Sequence, residues 1–279
     1  MFDYNSIVTD KELKLDFVEK IENVYSAIDK VSGIEVGSIV LKGYTFQASS
    51  DDVFIQYKLW LTRPERSVGK SVDLAGCTIE ELSEQYEELL IGAYLLSSKL
   101  PVEIARTNYK AMIDWLRTTD FYTAPASTIH HESCPGGLLT HSLKVYNRAL
   151  DLLNANVFNN ISVADVAIAA LTHDWCKIGF YESYLKNVKN EKTGLWDKET
   201  AYKRNPKGLT LGHGVTSMYL AGRCFNLSPE VAAAIRWHQG MFNCCREEID
   251  ELQRCNEKYP LVHLIQFADQ LAITEYANK

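Results

Sequence analysis

The sequence has no excess of basic residues, because its 36 aspartates and glutamates outnumber its 29 lysines and arginines. The resulting net charge of −7 argues against a general nucleic-acid coat, since attraction to phosphates requires lysine and arginine in excess. The imbalance lies in residues 1–100, which hold 17 acidic and 10 basic side chains. We therefore expect an anionic substrate to meet the balanced C-terminal part of the chain.

Cysteine pairs at metal-binding or redox spacing are also missing. The seven cysteines are odd in number and include no C-x-x-C pair, which favours reduced thiols in an intracellular protein. The alternative, a zinc knuckle formed by Cys244, Cys245 and Cys255, has poor spacing for such a site.

No long apolar run and no targeting segment is apparent in the sequence. The N-terminus has no basic stretch leading into an apolar one, and apolar stretches such as residues 89–96 are much shorter than a membrane span. There are no internal repeats and no low-complexity segments. These features predict a soluble cytoplasmic protein that does not bind a membrane.

Residues 1–100 have the pattern of a small α+β region, whose role the sequence does not indicate. Apolar residues at three- and four-residue steps predict an amphipathic helix over residues 10–31. Two β-like runs follow at residues 35–44 and 53–62, separated by a polar stretch.

Residues 101–279 form the second predicted domain, with an almost wholly helical pattern. Just before it, a capping box of Thr78 and Glu81 predicts a helix to about residue 96, and Pro101 begins the next helix, to about residue 118. The apolar periodicity then predicts helices near residues 137–154, 163–175, 211–226, 229–239 and 260–276.

The dipeptide His173-Asp174 lies at the end of one of these helices. A His-Asp pair alone is a weak motif, and both side chains could simply face solvent. The apolar run of residues 166–171 should hold the helix in the core, however, and so place the polar pair at a fixed position. Adjacent helical residues point in different directions, so both can bind metal only near a helix end or an irregularity.

Four further candidate ligands lie on, or at the ends of, predicted helices: His141, His213, His238 and Asp269. A single helical histidine is more often a hydrogen-bonded core or surface residue than a ligand, and a single aspartate often caps a helix or pairs with a cation. The six residues together provide the imidazoles and carboxylates that a centre of two divalent ions needs. Two such ions can activate water and hold both oxygens of a phosphoryl transfer. Manganese, iron, zinc, cobalt or magnesium would suit this donor set.

The order of these six residues, each on or at the end of a helix, resembles the HD-domain metal-dependent phosphohydrolase superfamily over roughly residues 120–276. The segment 121–142, with a histidine pair and a glycine pair before His141, is similar to the branch that contains HD-domain 3′–5′ exoribonucleases and related phage or mobile-element proteins. The resemblance implies a mainly α fold: an HD-domain helical bundle with an inserted β-hairpin, plus the smaller N-terminal α+β region.

The resemblance also implies a role for each residue. One ion would be held by His141, His173, Asp174 and Asp269, and the other by Asp174, His213 and His238. Asp174 would in addition orient and help to deprotonate the bridging water. Lys177 would contact a substrate phosphate or protonate the leaving oxygen; a surface lysine that faces the helix dipole is the alternative. His131, beside His130, would contact substrate at the rim, with a local backbone hydrogen bond as the alternative.

Two departures from the family patterns narrow the expected activity. His238 is followed by Gln239-Gly240 rather than by a second histidine and a Gly-Tyr-Pro motif, which argues against cyclic-dinucleotide hydrolysis. The exoribonuclease branch usually carries an N-terminal nucleic-acid-binding barrel, which an acidic region with two predicted strands suits poorly.

Residues 180–206 interrupt the helical pattern, and their alternating aromatic residues predict an inserted β-hairpin. Residues 180–207 hold seven basic and four acidic side chains. One hypothesis is a flap beside the metals that attracts a phosphate-bearing substrate, with Tyr184, Trp196 and Tyr202 stacking on a base. The alternative is a solvated hairpin whose aromatic residues pack on the domain.

We therefore expect a metal-dependent phosphohydrolase that cleaves a phosphoester of a nucleotide, or of a short nucleic acid, through a metal-activated hydroxide at a dinuclear site. One alternative is a 3′–5′ exonuclease on single-stranded nucleic acid. A second is a non-catalytic HD module that binds a nucleotide or a partner protein. A third is an enzyme with a single ion, in which His213 and His238 would be dispensable.

Overall fold

A computed structural model describes residues 13–277, apart from residues 23, 43–44, 62, 101, 130–131 and 243, and this part contains six strands and nine α-helices. The strands are β1 (Leu15–Ile21), β2 (Val24–Asp29), β3 (Glu35–Lys42), β4 (Thr45–Ala48), β5 (Tyr181–Lys189) and β6 (Trp196–Arg204). The helices are α1 (Asp51–Leu61), α2 (Ile79–Ser97), α3 (Val102–Arg117), α4 (Gly137–Asn154), α5 (Val163–Thr172), α6 (His213–Gly222), α7 (Pro229–Arg236), α8 (Arg246–Lys258) and α9 (Pro260–Ala277). None of these helices is both long and apolar enough to cross a membrane.

The predicted helix over residues 10–31 is wrong, because its described part forms strands β1 and β2. Leu13, Leu15 and Phe17 are buried while the residues between them are exposed, which is the two-residue alternation of a strand. Residues 10–12 lie outside the described residues. Strands β1 to β4 follow one another in a single antiparallel sheet. The sheet therefore has four strands rather than the two expected, and only the acidic charge still argues against an N-terminal barrel.

The predicted strand over residues 53–62 is also wrong, because this segment belongs to helix α1. Asp51 and Asp52 lie in its first turn, where the helix dipole favours negative charge. Val53 and Tyr57, four residues apart, bury one face of the helix in a small core with the sheet. The other predicted strand, over residues 35–44, is confirmed as β3 over residues 35–42, and residues 43–44 lie outside the described residues.

The helical domain is built around α5, which packs against α2, α4, α7 and α9. Of its 10 residues, only Val163 and Asp165 are not buried, as expected of a helix surrounded by others. The predicted capping box of α2 is confirmed, since the amide of Glu81 donates to Thr78 Oγ1 at 3.2 Å and the amide of Thr78 donates to Glu81 Oε2 at 2.8 Å. The helices packed around α5 therefore place the end of α5 at the centre of the helical domain.

The five helices and the hairpin predicted after residue 136 are confirmed, although α5, α6 and α7 each end three or four residues earlier than predicted. Helix α5 ends at Thr172, before a 3-10 turn over Trp175–Lys177. Helix α8 was not predicted, because Leu252 is its one buried residue and its sequence is otherwise polar. The smaller hydrophobic core extends to Trp60, and the larger one begins at Val68 and includes α2. The domain boundary at residue 100 stays a prediction.

Candidate metal centre

His173 and Asp174 lie where helix α5 ends, and the backbone is irregular there. Asp174 has φ −107° and ψ 16°, outside the α-helical range. His173 Nδ1 lies 2.7 Å from the carbonyl oxygen of Ala170 and donates a hydrogen bond to it. This break in the helix allows two adjacent residues to face one point.

Two close backbone approaches bring other helices to the same point. An ideal Cβ on Gly137, at the start of α4, would lie 2.0 Å from a carbonyl oxygen of the preceding loop. An ideal Cβ on Gly214, in α6, would lie 2.0 Å from the carbonyl oxygen of Arg236 in α7. Because a side chain at either position would push these segments apart, the two glycines allow His141 and His213 to reach the cluster.

One oxygen of Asp174 faces a first set of candidate ligands. Asp174 Oδ2 lies 3.5 Å from His141 Nε2 and 3.4 Å from His173 Nε2. Asp269 Oδ1, from helix α9, lies 3.1 Å from His141 Nε2 and 4.0 Å from His173 Nε2. These four residues therefore surround one small volume.

The other oxygen of Asp174 faces a second set. Asp174 Oδ1 lies 2.9 Å from His213 Nε2 and 3.6 Å from His238 Nε2. Ligand atoms of His141, His173 and Asp174 lie within 4.8 Å of one another, and so do those of Asp174, His213 and His238. The structure thus brings together all six residues that the sequence singled out, with Asp174 between the two sets.

The hydrogen bonds of the cluster show that its donors fit divalent cations. His173 and His238 donate through Nδ1 to the carbonyl oxygens of Ala170 and Ile235, the latter at 2.8 Å. In the neutral rings, Nε2 then carries a lone pair that is turned towards carboxylate oxygens. Lone pairs facing carboxylates repel unless a cation or a proton lies between them. Metal-binding histidines are commonly fixed in this way by backbone carbonyls.

Comparison with known protein families agrees with this geometry. The family model of the HD domain matches residues 138–274. Residues 138–274 form an HD domain, the domain of a superfamily of metal-dependent phosphohydrolases. A search of curated proteins and a search of solved structures found no match. The predicted superfamily is confirmed, whereas the exoribonuclease branch stays a prediction.

The electrostatics of this HD domain keep both aspartates ionised. Burial acts to raise the pKa of Asp174, but Lys177 and His173 hold it well below its usual range. Burial likewise opposes ionisation of Asp269, yet its hydrogen bond with His141 and the charge of His173 lower its pKa. Burial lowers the pKa of His213, but hydrogen bonds with Asp174 and Cys176 outweigh it and raise the pKa to about 10. Both carboxylates therefore stay negatively charged, and their charge would attract a cation.

Lys177 lies beside the cluster rather than on the surface. Its side chain is buried in the 3-10 turn after α5, and Nζ donates to Asp174 Oδ2 at 2.5 Å. The alternative of a surface lysine is therefore wrong. Burial acts to lower the pKa of Lys177, but Asp174 raises it above its usual value. The predicted contact of His131 lies outside the described residues.

Glu132 is a residue of the site that the sequence did not indicate. It is buried with a left-handed φ of 44°, which is uncommon for a residue other than glycine. Its Oε1 accepts a hydrogen bond from Lys144 Nζ at 2.5 Å, and its Oε2 lies 3.7 Å from His141 Nδ1. The carboxylate therefore stands behind the ring of His141, on the side away from Asp174. A glutamate in an irregular loop gives no periodic signal from which this position could be predicted.

We expect Glu132→Gln to weaken binding of manganese about 10- to 100-fold, because a carboxylate behind a ligand histidine fixes its tautomer and raises its basicity. Isothermal titration of the purified chain with manganese measures this effect. Glu87→Gln is the matched control, since Glu87 is as buried as Glu132, with 3% of each residue exposed, but pairs with Arg117 elsewhere. Equal manganese affinity in both variants would show that Glu132 does not position His141.

Proposed function

We propose that this HD domain cleaves a phosphoester of a nucleotide or a short nucleic acid at a centre of two divalent ions. The divergence of the two Asp174 oxygens supports this proposal, since Oδ2 faces His141 and His173 while Oδ1 faces His213 and His238. A carboxylate shared by two sets of imidazoles is the arrangement that a two-ion hydrolase requires.

The residues of the centre divide the chemistry among them. Bound divalent ions would supply a strong nucleophile from water at neutral pH and neutralise phosphate charge. Asp174, held ionised, accepts a hydrogen bond from the attacking water and orients it between the two sets. Lys177, with a raised pKa, stays protonated. Because proton donors work best when their pKa lies near the working pH, its ammonium serves to bind the substrate phosphate rather than to protonate the leaving oxygen.

The substrate enters beside His213, whose side chain is 26% exposed while those of His141, His173 and His238 are almost fully buried. A cavity of about 360 Å³ adjoins it, lined also by Arg236, Gln239 and Phe242 among others. Arg236 donates to Glu248 Oε1 at 2.6 Å and lies 3.9 Å from the centre of the Trp237 ring. Its fixed positive charge would attract a second phosphate oxygen.

A larger cavity, of about 680 Å³, lies between the end of α2 and the starts of α5 and α7 and contains none of the six residues. We assign the substrate to the smaller cavity, because the reacting phosphate must contact the cluster, and only the smaller of these two cavities is lined by one of its residues.

Turnover of small phosphoesters in the presence of manganese tests the proposal. Nucleotides, cyclic nucleotides, short single strands and a chromogenic phosphodiester form the panel. We expect His238→Ala to lower kcat/KM for the best substrate at least about 100-fold, because it removes one ligand of the second ion. His263→Ala, also a histidine of the helical domain but outside the cluster, should change kcat/KM less than about twofold.

The outcomes separate the competing functions. Unchanged turnover in His213→Ala and His238→Ala, with loss of turnover in Asp174→Ala, would show that the enzyme works with a single ion rather than with a dinuclear centre. No turnover of any substrate, with no metal bound after incubation with manganese, would favour a non-catalytic binding module.

A further inference from the structure

The register of the β5–β6 hairpin separates its charges between two faces. Residues paired across the strands share a face, and successive residues alternate between faces. One face, which we name the basic face, comprises Tyr181, Ser183, Leu185, Asn187, Lys189, Trp196, Lys198, Thr200, Tyr202 and Arg204. The opposite face comprises Glu182, Tyr184, Lys186, Val188, Asp197, Glu199, Ala201 and Lys203. The basic face thus carries three cations and no acid, whereas the opposite face carries two cations and three acids.

The basic face also presents aromatic and apolar surface to solvent. Trp196 is 68% exposed and Leu185 is 64% exposed, so these side chains do not pack on the domain. The alternative of a hairpin whose aromatic residues pack on the domain is therefore wrong for Trp196. Exposed aromatic rings among cations, without neighbouring acids, are the composition of surfaces that stack on bases and contact phosphates.

The basic face leads from the hairpin tip towards the metal centre. At its base, the amide of Phe180 donates to the carbonyl oxygen of Lys177 at 3.1 Å, and the amide of Asn205 donates to the carbonyl oxygen of Phe180 at 2.8 Å. These hydrogen bonds join both ends of the hairpin to the turn whose lysine contacts Asp174. Tyr181 and Tyr202, at this end of the face, are both half-buried. Each strand has nine residues, so the face is roughly 27 Å long at about 3.4 Å per step. That length accommodates several nucleotides.

We propose that the basic face binds a single strand of nucleic acid and directs it to the metal centre. This inference rests on the proposed function, because it names the class of substrate for the same site. A duplex is disfavoured, since its bases are stacked inside and present no face to Trp196. An acidic peptide would satisfy the lysines but would leave the exposed indole ring without a planar partner.

Binding of a fluorescent 12-nucleotide single strand, as DNA and as RNA, tests this proposal. The fluorescence anisotropy of the strand is measured as the whole chain is added in the presence of a metal chelator, so that the strand is bound but not cleaved. The variants Trp196→Ala and Lys198→Glu change the basic face. Tyr184→Ala and Lys186→Glu are matched controls, because they lie in the same hairpin, in strand β5, but on the opposite face.

We expect Trp196→Ala to weaken binding about 5- to 100-fold, the usual effect of removing one base-stacking ring. The logarithm of the affinity should fall with the logarithm of salt with a slope of about −2, for three phosphate contacts on a single strand. Lys198→Glu should reduce that slope by about 0.7. Both controls should bind within twofold of the unchanged chain.

Equal losses of affinity in the variants of the two faces would overturn the proposal. So would a failure of the unchanged chain to bind either the DNA or the RNA 12-nucleotide strand. Tighter binding of duplex, or of an acidic peptide, would also do so. A concentration-dependent dimer that Trp196→Ala abolishes would instead make the basic face an interface between copies.

Turnover of the chromogenic phosphodiester with manganese separates this test from that of the proposed function. Trp196→Ala should leave that turnover unchanged, since Trp196 lies at the far end of the hairpin from the metal centre. If the unchanged chain binds the strand but never hydrolyses the small substrate, the proposed function fails while the binding surface stands.

Discussion

Asp174→Asn is expected to lower kcat/KM for phosphoester hydrolysis on the order of 10³-fold or more, the largest effect of any single change in the centre. The two oxygens of Asp174 face different sets of imidazoles, with Oδ1 at 2.9 Å from His213 and Oδ2 at 3.4 Å from His173. Asparagine has nearly the same shape, but it lacks the charge and replaces one oxygen by a hydrogen-bond donor. Both ions should therefore bind more weakly, and the assay is turnover over a range of manganese concentrations.

The asparagine variant also leaves the buried ammonium of Lys177 without its carboxylate, which costs about 3–5 kcal/mol of folding stability. The double variant Asp174→Asn/Lys177→Met removes that unpaired charge. It should recover most of the lost folding stability, as measured by thermal unfolding. Hydrolysis should stay as low in the double variant as in Asp174→Asn. Hydrolysis and manganese affinity in Asp174→Asn equal to those of the unchanged chain would contradict a bridging role for Asp174.

Gly214→Ala is expected to destabilise the fold and to weaken the second half of the centre together. The new Cβ would lie 2.0 Å from the carbonyl oxygen of Arg236 and 2.7 Å from its carbonyl carbon. Backbone atoms of α7 cannot turn away as the end of a side chain could, so α6 and α7 must separate. Overpacking of this kind costs about 1–3 kcal/mol, and Tm should fall by roughly 2–12 °C. His213 and His238 should move apart, and affinity for manganese should fall.

Gly222→Ala is the matched control on the same helix. Its Cβ would meet Leu227 Cδ1 at 3.8 Å, an ordinary contact. Alanine should therefore stabilise this position by roughly 0.5–1 kcal/mol, because glycine loses more conformational freedom in a helix. Thermal unfolding with and without manganese measures both variants. Equal unfolding temperatures for the two would contradict the close approach of α6 to α7.

The six-residue cluster could be predicted from the sequence because the local sequence patterns around these residues agree with the burial of the helices that carry them. Helix α5 is apolar on every side, so its end must lie inside the domain, and His173-Asp174 is the first polar pair that follows. The glycines before His141 and after His213 allow helices to approach closely at these histidines. The resemblance to the HD superfamily supplied the pairing of the ligands into two sets, which spacing alone does not give.

The errors at the N-terminus have a simple geometric cause. Leu13, Phe17 and Ile21 are spaced by four, and positions four apart share a face in a helix and in a strand alike. Burial decides between them, because Leu15 is buried together with Leu13 and Phe17, and residues two apart share a face in a strand but not in a helix. For α1, apolar and aromatic residues suggested a strand, whereas the pair Val53 and Tyr57 forms a helical stripe against the sheet.

The burial of Glu132 depends on a tertiary contact that no local pattern encodes. Glu132 is buried because Lys144, from helix α4, pairs with it. The faces of the hairpin became apparent only from its register, since a shift of one residue would exchange them.

The number of manganese ions bound per chain at saturation tests the central claim most directly. Elemental analysis after equilibrium dialysis gives this number without reference to any substrate. Two ions per chain, with a clear reduction in Asp174→Asn, is the predicted result. One ion per chain, or none, in the unchanged protein would contradict a centre in which Asp174 joins two sets of histidines.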